Sequence, residues 1–181
     1  MRLACMAACA VVLYGQAPQV NAGAALLEDF SKRVAAYVSI HKSARSEVHP
    51  LKPTSNPDAI EKYEHHLART IREKRKSAVQ GAIFTPEIAA EFGRLMKLAM
   101  QGGTGPRVEA SLRHAEPVRL PALHVNATYP EHLPVQSTPP SVLANLPKLP
   151  PELEYRVVGN ALVLRDVDAN LIVDFIRNVI P

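Results

Sequence analysis

The sequence has no tryptophan, only two cysteines, and no apolar run long enough to cross a membrane. Cys5 and Cys9 both lie in the first ten residues, so the rest of the chain has no thiol for a disulfide, a nucleophile or a zinc site. The longest uncharged, mostly apolar run, residues 3–14, has twelve residues, whereas a spanning helix needs about 20. These absences argue against thiol chemistry and against a transmembrane segment in the mature chain.

The familiar catalytic and phosphate-binding motifs are also missing. There is no GxSxG, no HExxH and no glycine-rich loop. Ser39 and Lys42 fit the SxxK spacing, but the SDN and KTG elements of that enzyme class are absent. Residues 166–170 resemble the start of a calcium loop, yet Leu171 stands where the loop needs glycine and Arg177 where it needs glutamate. We therefore predict no catalytic, cofactor-binding or metal residues and no cofactor.

The charge of the chain is modest, at +4, and does not indicate a nucleic-acid partner. One basic cluster lies near the end of the predicted second helix, interrupted by Glu73. Its members are Arg69, Arg72, Lys74, Arg75 and Lys76. These cations suit the C-terminal end of a helix dipole, and the alternative is a contact with anionic lipid head groups.

The N-terminus has the three-part pattern of a secretory signal peptide. Arg2 supplies a positive charge, residues 3–14 form the apolar part, and residues 15–24 are small and polar. We predict a signal peptide over residues 1–24, with cleavage after Ala24 as one possibility. The expected location is the periplasm or the extracellular medium.

Three amphipathic helices are predicted over residues 25–102, at about 26–47, 57–78 and 86–101. Asn56-Pro57 and Thr85-Pro86 each place a capping residue before a proline at the first helical position. The predicted buried stripes include Phe30, Tyr37 and His41 in the first helix; Ile60, Tyr63, Leu67 and Ile71 in the second; and Ile88, Phe92 and Met96 in the third. Short connections favour antiparallel neighbours.

Residues 103–152 hold ten of the sixteen prolines. Apolar residues alternate with these prolines, which argues against a free linker. We predict that this proline-rich segment wraps over the folded parts. It also holds Asn126 and Thr128, which fit a glycosylation sequon that matters only in a eukaryotic secretory route.

The C-terminal residues 153–181 predict a ββα unit. Gly159-Asn160 suits a two-residue hairpin turn, which places Val157 opposite Leu162 and Tyr155 opposite Leu164. On the other face the same register pairs Arg156 with Val163 and Glu154 with Arg165. Asp168 then looks like the N-cap of an amphipathic helix with Leu171, Ile172, Phe175, Ile176 and Val179 on one side. The face through Arg156, Val158 and Val163 has no predicted partner, so if this unit binds anything, we expect it to bind there.

Residues 153–176 read LEYRVVGNALVLRDVDANLIVDFI. This stretch, with the proline-rich segment before it, resembles the C-terminal signature of a group of uncharacterised exported bacterial proteins. The resemblance covers about the last third of the chain and implies a bacterial, exported protein. It implies no activity and no site residue.

The prediction is thus a mainly helical α+β fold of antiparallel helices, a proline-rich wrapping segment and a C-terminal hairpin plus helix. The leading functional hypothesis is a non-enzymatic exported protein that acts by binding or structural association, with another envelope protein as one possible partner. One alternative is an enzyme or metal protein whose site gathers distant residues, such as His65, His66, His124 and Glu131. The other is an envelope-surface accessory protein that uses Arg72, Arg75 and Lys76.

Overall fold

The computed structural model describes residues 21–101, 122–130 and 143–179. Within these ranges three helices precede a three-stranded antiparallel sheet, which is the mainly helical α+β fold predicted from the sequence. The helices are α1 (Ala22–Glu47), α2 (Pro57–Lys74) and α3 (Pro86–Gln101), and the strands are β1 (Leu153–Val158), β2 (Ala161–Asp166) and β3 (Leu171–Ile176). None of the helices in the described part is long and apolar enough to cross a membrane.

The helix starts follow local capping chemistry. Asn56 accepts a hydrogen bond from the Asp58 amide at the start of α2, as the Asn-Pro pair predicts. Asn21 caps α1 in the same way, by accepting from the Gly23 amide. This helix therefore begins at Ala22, four residues before the predicted residue 26. The signal-peptide prediction lies mostly outside the described residues, and residues 22–24 form the first turn of α1.

The main core lies between the helices and one face of the sheet. Phe30, Phe84 and Phe92 form a ring cluster with centroids 4.8–5.6 Å apart, and Tyr155 of β1 packs against Phe92. The predicted stripes of α1 and α3 enter this core, but Ile60 of α2 remains 37% exposed, contrary to prediction. The first turn of α2 extends beyond the core, so the apolar side chains of the described residues leave Ile60 partly open to solvent.

The hairpin register is the predicted one. Val157 pairs with Leu162 and Tyr155 with Leu164, while Arg156 pairs with Val163 and Glu154 with Arg165. Glu154 also binds the side chains of Arg156 and Arg165, at 2.7 and 2.6 Å. The cross-strand match of apolar and charged residues is therefore sufficient to fix the pairing.

The predicted C-terminal helix is wrong, because residues 171–176 form β3, paired with β2. Asp168 is not an N-cap. It lies in a turn in which the Ala169 amide donates to Asp166 and Asn170 has a φ of 48°. An apolar run of this length fits a buried strand as well as a helix, and its β-branched and aromatic residues favour the strand. The register between β2 and β3 shifts at Leu164/Arg165, which leaves Val173 without a paired residue on β2.

The second face of the sheet is covered, contrary to the prediction for Val158 and Val163. Both are buried, with Phe175 and Ile172, beneath Leu123 and Tyr129 of the segment 122–130. This segment also extends the sheet beside β3. The Asn126 amide donates to Ile172 O, and the Ile172 amide donates to Ala127 O. The described part of the proline-rich segment therefore wraps over the sheet, as expected. The rest of that segment, with Glu131, lies outside the described residues.

Candidate functional site

A buried polar cluster joins α1 to the end of β2. The Asp166 carboxylate has no exposure and accepts three hydrogen bonds: from the Tyr37 hydroxyl at 2.5 Å, from His41 Nδ1 at 2.6 Å and from the Ala169 amide at 2.8 Å. Three donors therefore satisfy this one buried carboxylate. Tyr37 and His41 lie one turn apart on α1, so a single helix face supplies two of the donors.

The other side of the His41 ring also faces acidic groups. Its Nε2 lies 3.5 Å from Asp168 Oδ2 and makes no hydrogen bond among the described residues. With Nδ1 donating to Asp166, a neutral ring would direct the Nε2 lone pair at a carboxylate, whereas a protonated ring directs an N–H at it. Burial lowers the pKa of His41, but the hydrogen bond and charge of Asp166, with the charges of Asp168 and Glu152, outweigh it and raise the pKa. Both acidic neighbours therefore favour the protonated form of the buried ring.

Asp168 connects this cluster to the surface. Its Oδ2 is 3.2 Å from Arg45 Nη1 as well as 3.5 Å from His41 Nε2, so two cations share one carboxylate oxygen. Close by, Glu152 carries a buried oxygen, Oε2, without a hydrogen bond among the described residues, and its Oε1 lies 3.8 Å from Lys42 Nζ. The side chains of Arg45 and Lys42 are mostly exposed.

Two adjoining depressions open on this surface and together form what we call the α1–α2 groove. Both are lined by Val48, Pro50, Leu51 and Tyr63. The Arg45 lobe, of about 640 Å³, is lined in addition by Lys42, Arg45, Ser46 and Asp168. The Lys62 lobe, of about 530 Å³, is lined in addition by His49, Lys52, Lys62, His65, His66 and Arg69.

The groove is cationic. Five lysine or arginine side chains line it, but only one carboxylate from the described part of the chain, that of Asp168. Arg45 and Lys42 face carboxylates, whereas Lys52, Lys62 and Arg69 have no ion pair or hydrogen bond from their side chains among the described residues. Tyr63 and the 39%-exposed Leu51 supply apolar surface between the charges. Such a surface is suited to a ligand that carries negative charge beside apolar groups.

The basic cluster predicted near the end of α2 is mostly structural. Arg72 donates to Asn126 O and to Thr128 Oγ1, both at 2.8 Å. Arg75 is buried, donates to Asn126 Oδ1 and Val173 O, and lies over the Tyr37 ring at 4.8 Å. Arg75 is therefore not accessible to a lipid head group, and Arg72 is held by the segment 122–130. The hypothesis of a lipid contact at this end of α2, which also includes the exposed Lys76, stays a prediction. The Asn126 amide that a sugar would modify donates to Arg75 O, so the sequon side chain is also engaged in the fold.

The proposed distant metal set is not assembled among the described residues. His65 and His66 line the Lys62 lobe, with His65 Nε2 3.9 Å from Glu61. His124 lies in the segment that covers the sheet, and Glu131 is outside the described residues. In the described ranges no group of three or more histidine, cysteine or acidic side chains could hold a metal ion.

The cluster around His41 and Asp166 has no counterpart among the sequence-based predictions. The periodicity of α1 places His41 in a buried stripe without assigning it a partner, although a buried histidine needs one. The local pattern around Asp166 indicates only a failed calcium loop. Comparison with protein-family models, with curated proteins and with solved structures gives no match for the chain.

Proposed function

We propose that this chain is a non-enzymatic exported protein that acts by binding, and that the α1–α2 groove is its binding surface. The observation that carries the proposal is the set of three cations, Lys52, Lys62 and Arg69, that line one lobe without a partner among the described residues. Cations that stabilise the fold are paired with acceptors, as Arg72 and Arg75 are. Unpaired cations around a depression are instead available to an external anion.

The ligand class follows from the lining of the groove. Carboxylate, phosphate and sulfate groups all complement exposed lysine and arginine side chains. Tyr63 and Leu51 add a small apolar contact, which favours a ligand in which the anionic group is attached to an apolar body. A free anion and a lipid head group share this chemistry, and binding measurements with two probes separate them.

The export part of the proposal is supported by the sequence pattern of residues 1–24. N-terminal sequencing of the protein recovered from a bacterial envelope or medium fraction tests it. A mature chain that begins near Ala25 is the expected result. Recovery of the protein only in the cytoplasm, with Met1 retained, contradicts export but leaves the groove proposal open to its own test.

The binding test uses two probes, soluble inorganic phosphate and vesicles that contain an anionic phospholipid. A variant with Lys52→Gln, Lys62→Gln and Arg69→Gln is compared with a control variant, Lys32→Gln, Lys97→Gln and Lys148→Gln, which removes the same charge elsewhere. At roughly 0.5–1 kcal/mol for each exposed ion pair, the groove variant should lose about 10- to 100-fold in affinity.

The two probes then distinguish the sources of the anion. Binding of phosphate alone, weakened only in the groove variant, supports a soluble anionic ligand, and salt-sensitive vesicle binding weakened only in that variant supports a membrane surface. Equal losses in the groove and control variants mean that net charge is responsible, which contradicts a specific groove. No binding of either probe by the folded protein also contradicts the proposal.

The enzymatic alternative has no observation in its favour among the described residues. Elemental analysis of the purified chain checks its metal version, which requires a stoichiometric metal ion.

A further inference from the structure

The Arg45 lobe has a feature that the Lys62 lobe lacks, a carboxylate shared between a surface cation and a buried one. Asp168 Oδ2 contacts both Arg45 Nη1 and His41 Nε2. Arg45 is more than half exposed and can turn toward a ligand, whereas His41 is fully enclosed and stays in place. The charge on His41 therefore determines how much of the Asp168 charge is left for Arg45 to balance.

We propose that anion binding in the Arg45 lobe is linked to protonation of His41 through Asp168. This inference rests on the proposed function of the groove and adds its regulation. With His41 protonated, the ring balances Asp168, and Arg45 is available to an incoming carboxylate or phosphate. With His41 neutral, Asp168 depends on Arg45 alone and also repels the anion, so binding weakens as the pH rises.

The surroundings of His41 leave few other paths for this coupling. The charged and titratable groups near the ring come from four parts of the fold. They are Tyr37, Lys42 and Arg45 on α1, Asp166 at the end of β2 with Asp168 in the turn after it, Glu152 before β1, and Arg75 just after α2, behind the Tyr37 ring. Of these, only Lys42, Arg45 and Asp168 line the lobe. Asp168 is the only one of these three within 4 Å of a His41 nitrogen.

Thermodynamic linkage makes the effect reciprocal. If protonation of His41 strengthens anion binding, then a bound anion must strengthen protonation of His41 by the same factor. The anion draws Arg45 away from Asp168, and the less balanced carboxylate holds the proton on the ring more tightly. The pKa of His41 should therefore rise when the anion binds.

NMR titration of the His41 ring in the full chain tests the inference, with sodium sulfate as the probe because it does not titrate in this range. Sulfate should raise the pKa of His41 in the wild-type protein. In the Asp168→Asn variant the pKa without sulfate should fall by about one pH unit, since a charge 3.5 Å from Nε2 is removed, and the response to sulfate should vanish. The control variant Glu28→Gln, far along α1, should behave as the wild type.

The outcomes separate this inference from the proposal on which it rests. If sulfate perturbs resonances of the groove but leaves the pKa of His41 unchanged, the proton linkage is wrong and groove binding stands. If sulfate perturbs neither, both are wrong for this anion class. If Asp168→Asn leaves the pKa of His41 unchanged without sulfate, the linkage fails at its first step, whatever the groove binds.

Discussion

Replacement of Asp174 by asparagine should destabilise the protein by about 4 kcal/mol, although it exchanges only one carboxylate oxygen for an NH₂ group. Asp174 is fully buried in β3 and accepts four backbone hydrogen bonds. Three come from the loop between α2 and α3, from the amides of Gly81, Ile83 and Phe84 at 2.8–3.0 Å, and the fourth comes from Phe175 at 2.9 Å. All four donors are main-chain N–H groups, which cannot reverse their role.

The magnitude follows from what asparagine can still accept. Its oxygen can serve Ile83 and Phe84, but its NH₂ group then faces the amides of Gly81 and Phe175, donor against donor. Each lost bond to a charged acceptor costs about 1.5 kcal/mol, and the two that remain lose the charge-assisted part of their strength. Because a domain of this size is stable by only about 5–15 kcal/mol, the change should be plain in equilibrium unfolding by urea.

A second measurement locates the effect. With its anchor weakened, the loop that holds Gly81 should open more often, so trypsin should cut faster at the exposed Lys76 under native conditions. Glu28→Gln, which changes an exposed carboxylate in the same way, should leave the urea unfolding midpoint essentially unchanged. A loss below about 1 kcal/mol in the Asp174→Asn variant would refute the reasoning that these four donors depend on the carboxylate.

Two further predictions concern the buried cations. The pKa of His41 is raised in the fold, so the protonated ring stabilises the folded state fully at pH values below 6.5, the ordinary pKa of histidine. This stabilisation is lost as the pH rises through the raised pKa. Urea unfolding should therefore show that the stability advantage of the wild type over His41→Gln shrinks in that pH window. A constant difference across the window would mean that His41 does not change charge there. Arg75→Lys should lower the free energy of unfolding by about 2–3 kcal/mol, because lysine cannot reach Asn126 Oδ1 and Val173 O with one planar group. Arg69→Lys, in the exposed groove, should lower it by less than about 0.5 kcal/mol in the same assay. Equal costs for the two substitutions would contradict the structural role given to Arg75.

The predictable part of the fold is the part fixed by neighbours in sequence. The starts of α2 and α3 follow from Asn56-Pro57 and Thr85-Pro86, and the hairpin register follows from a two-residue turn and matched side chains. The error at β3 has a physical cause. Its apolar pattern suits a helix as well as a buried strand, and the choice is made by β2 and by the segment 122–130, which lie on its two sides.

The candidate site is less predictable, because its members are far apart in sequence. His41 and Asp166 are separated by 125 residues, and no local pattern connects a helical histidine with the last residue of a strand. The α1–α2 groove depends on where the loop at Pro50 and Leu51 lies against α2. The basic cluster is visible in the sequence, but whether an arginine such as Arg75 faces solvent or a backbone carbonyl is set by tertiary packing.

The long separations within the fold also bear on when the chain can fold. The Tyr37 hydroxyl donates to Asp166, which lies 129 residues later in the chain. The loop amides of Ile83 and Phe84 donate to Asp174, which lies 91 and 90 residues later. The apolar faces of α1 and α3 contact each other and also pack on the strands, which follow them in the chain. Contacts of such long range form slowly because the intervening loop must close first. Until the strands have been synthesised, the chain therefore lacks the part of its core that the sheet supplies and cannot reach the native state. Under the proposed export, this delay would keep the polypeptide open for translocation until its final strand is available.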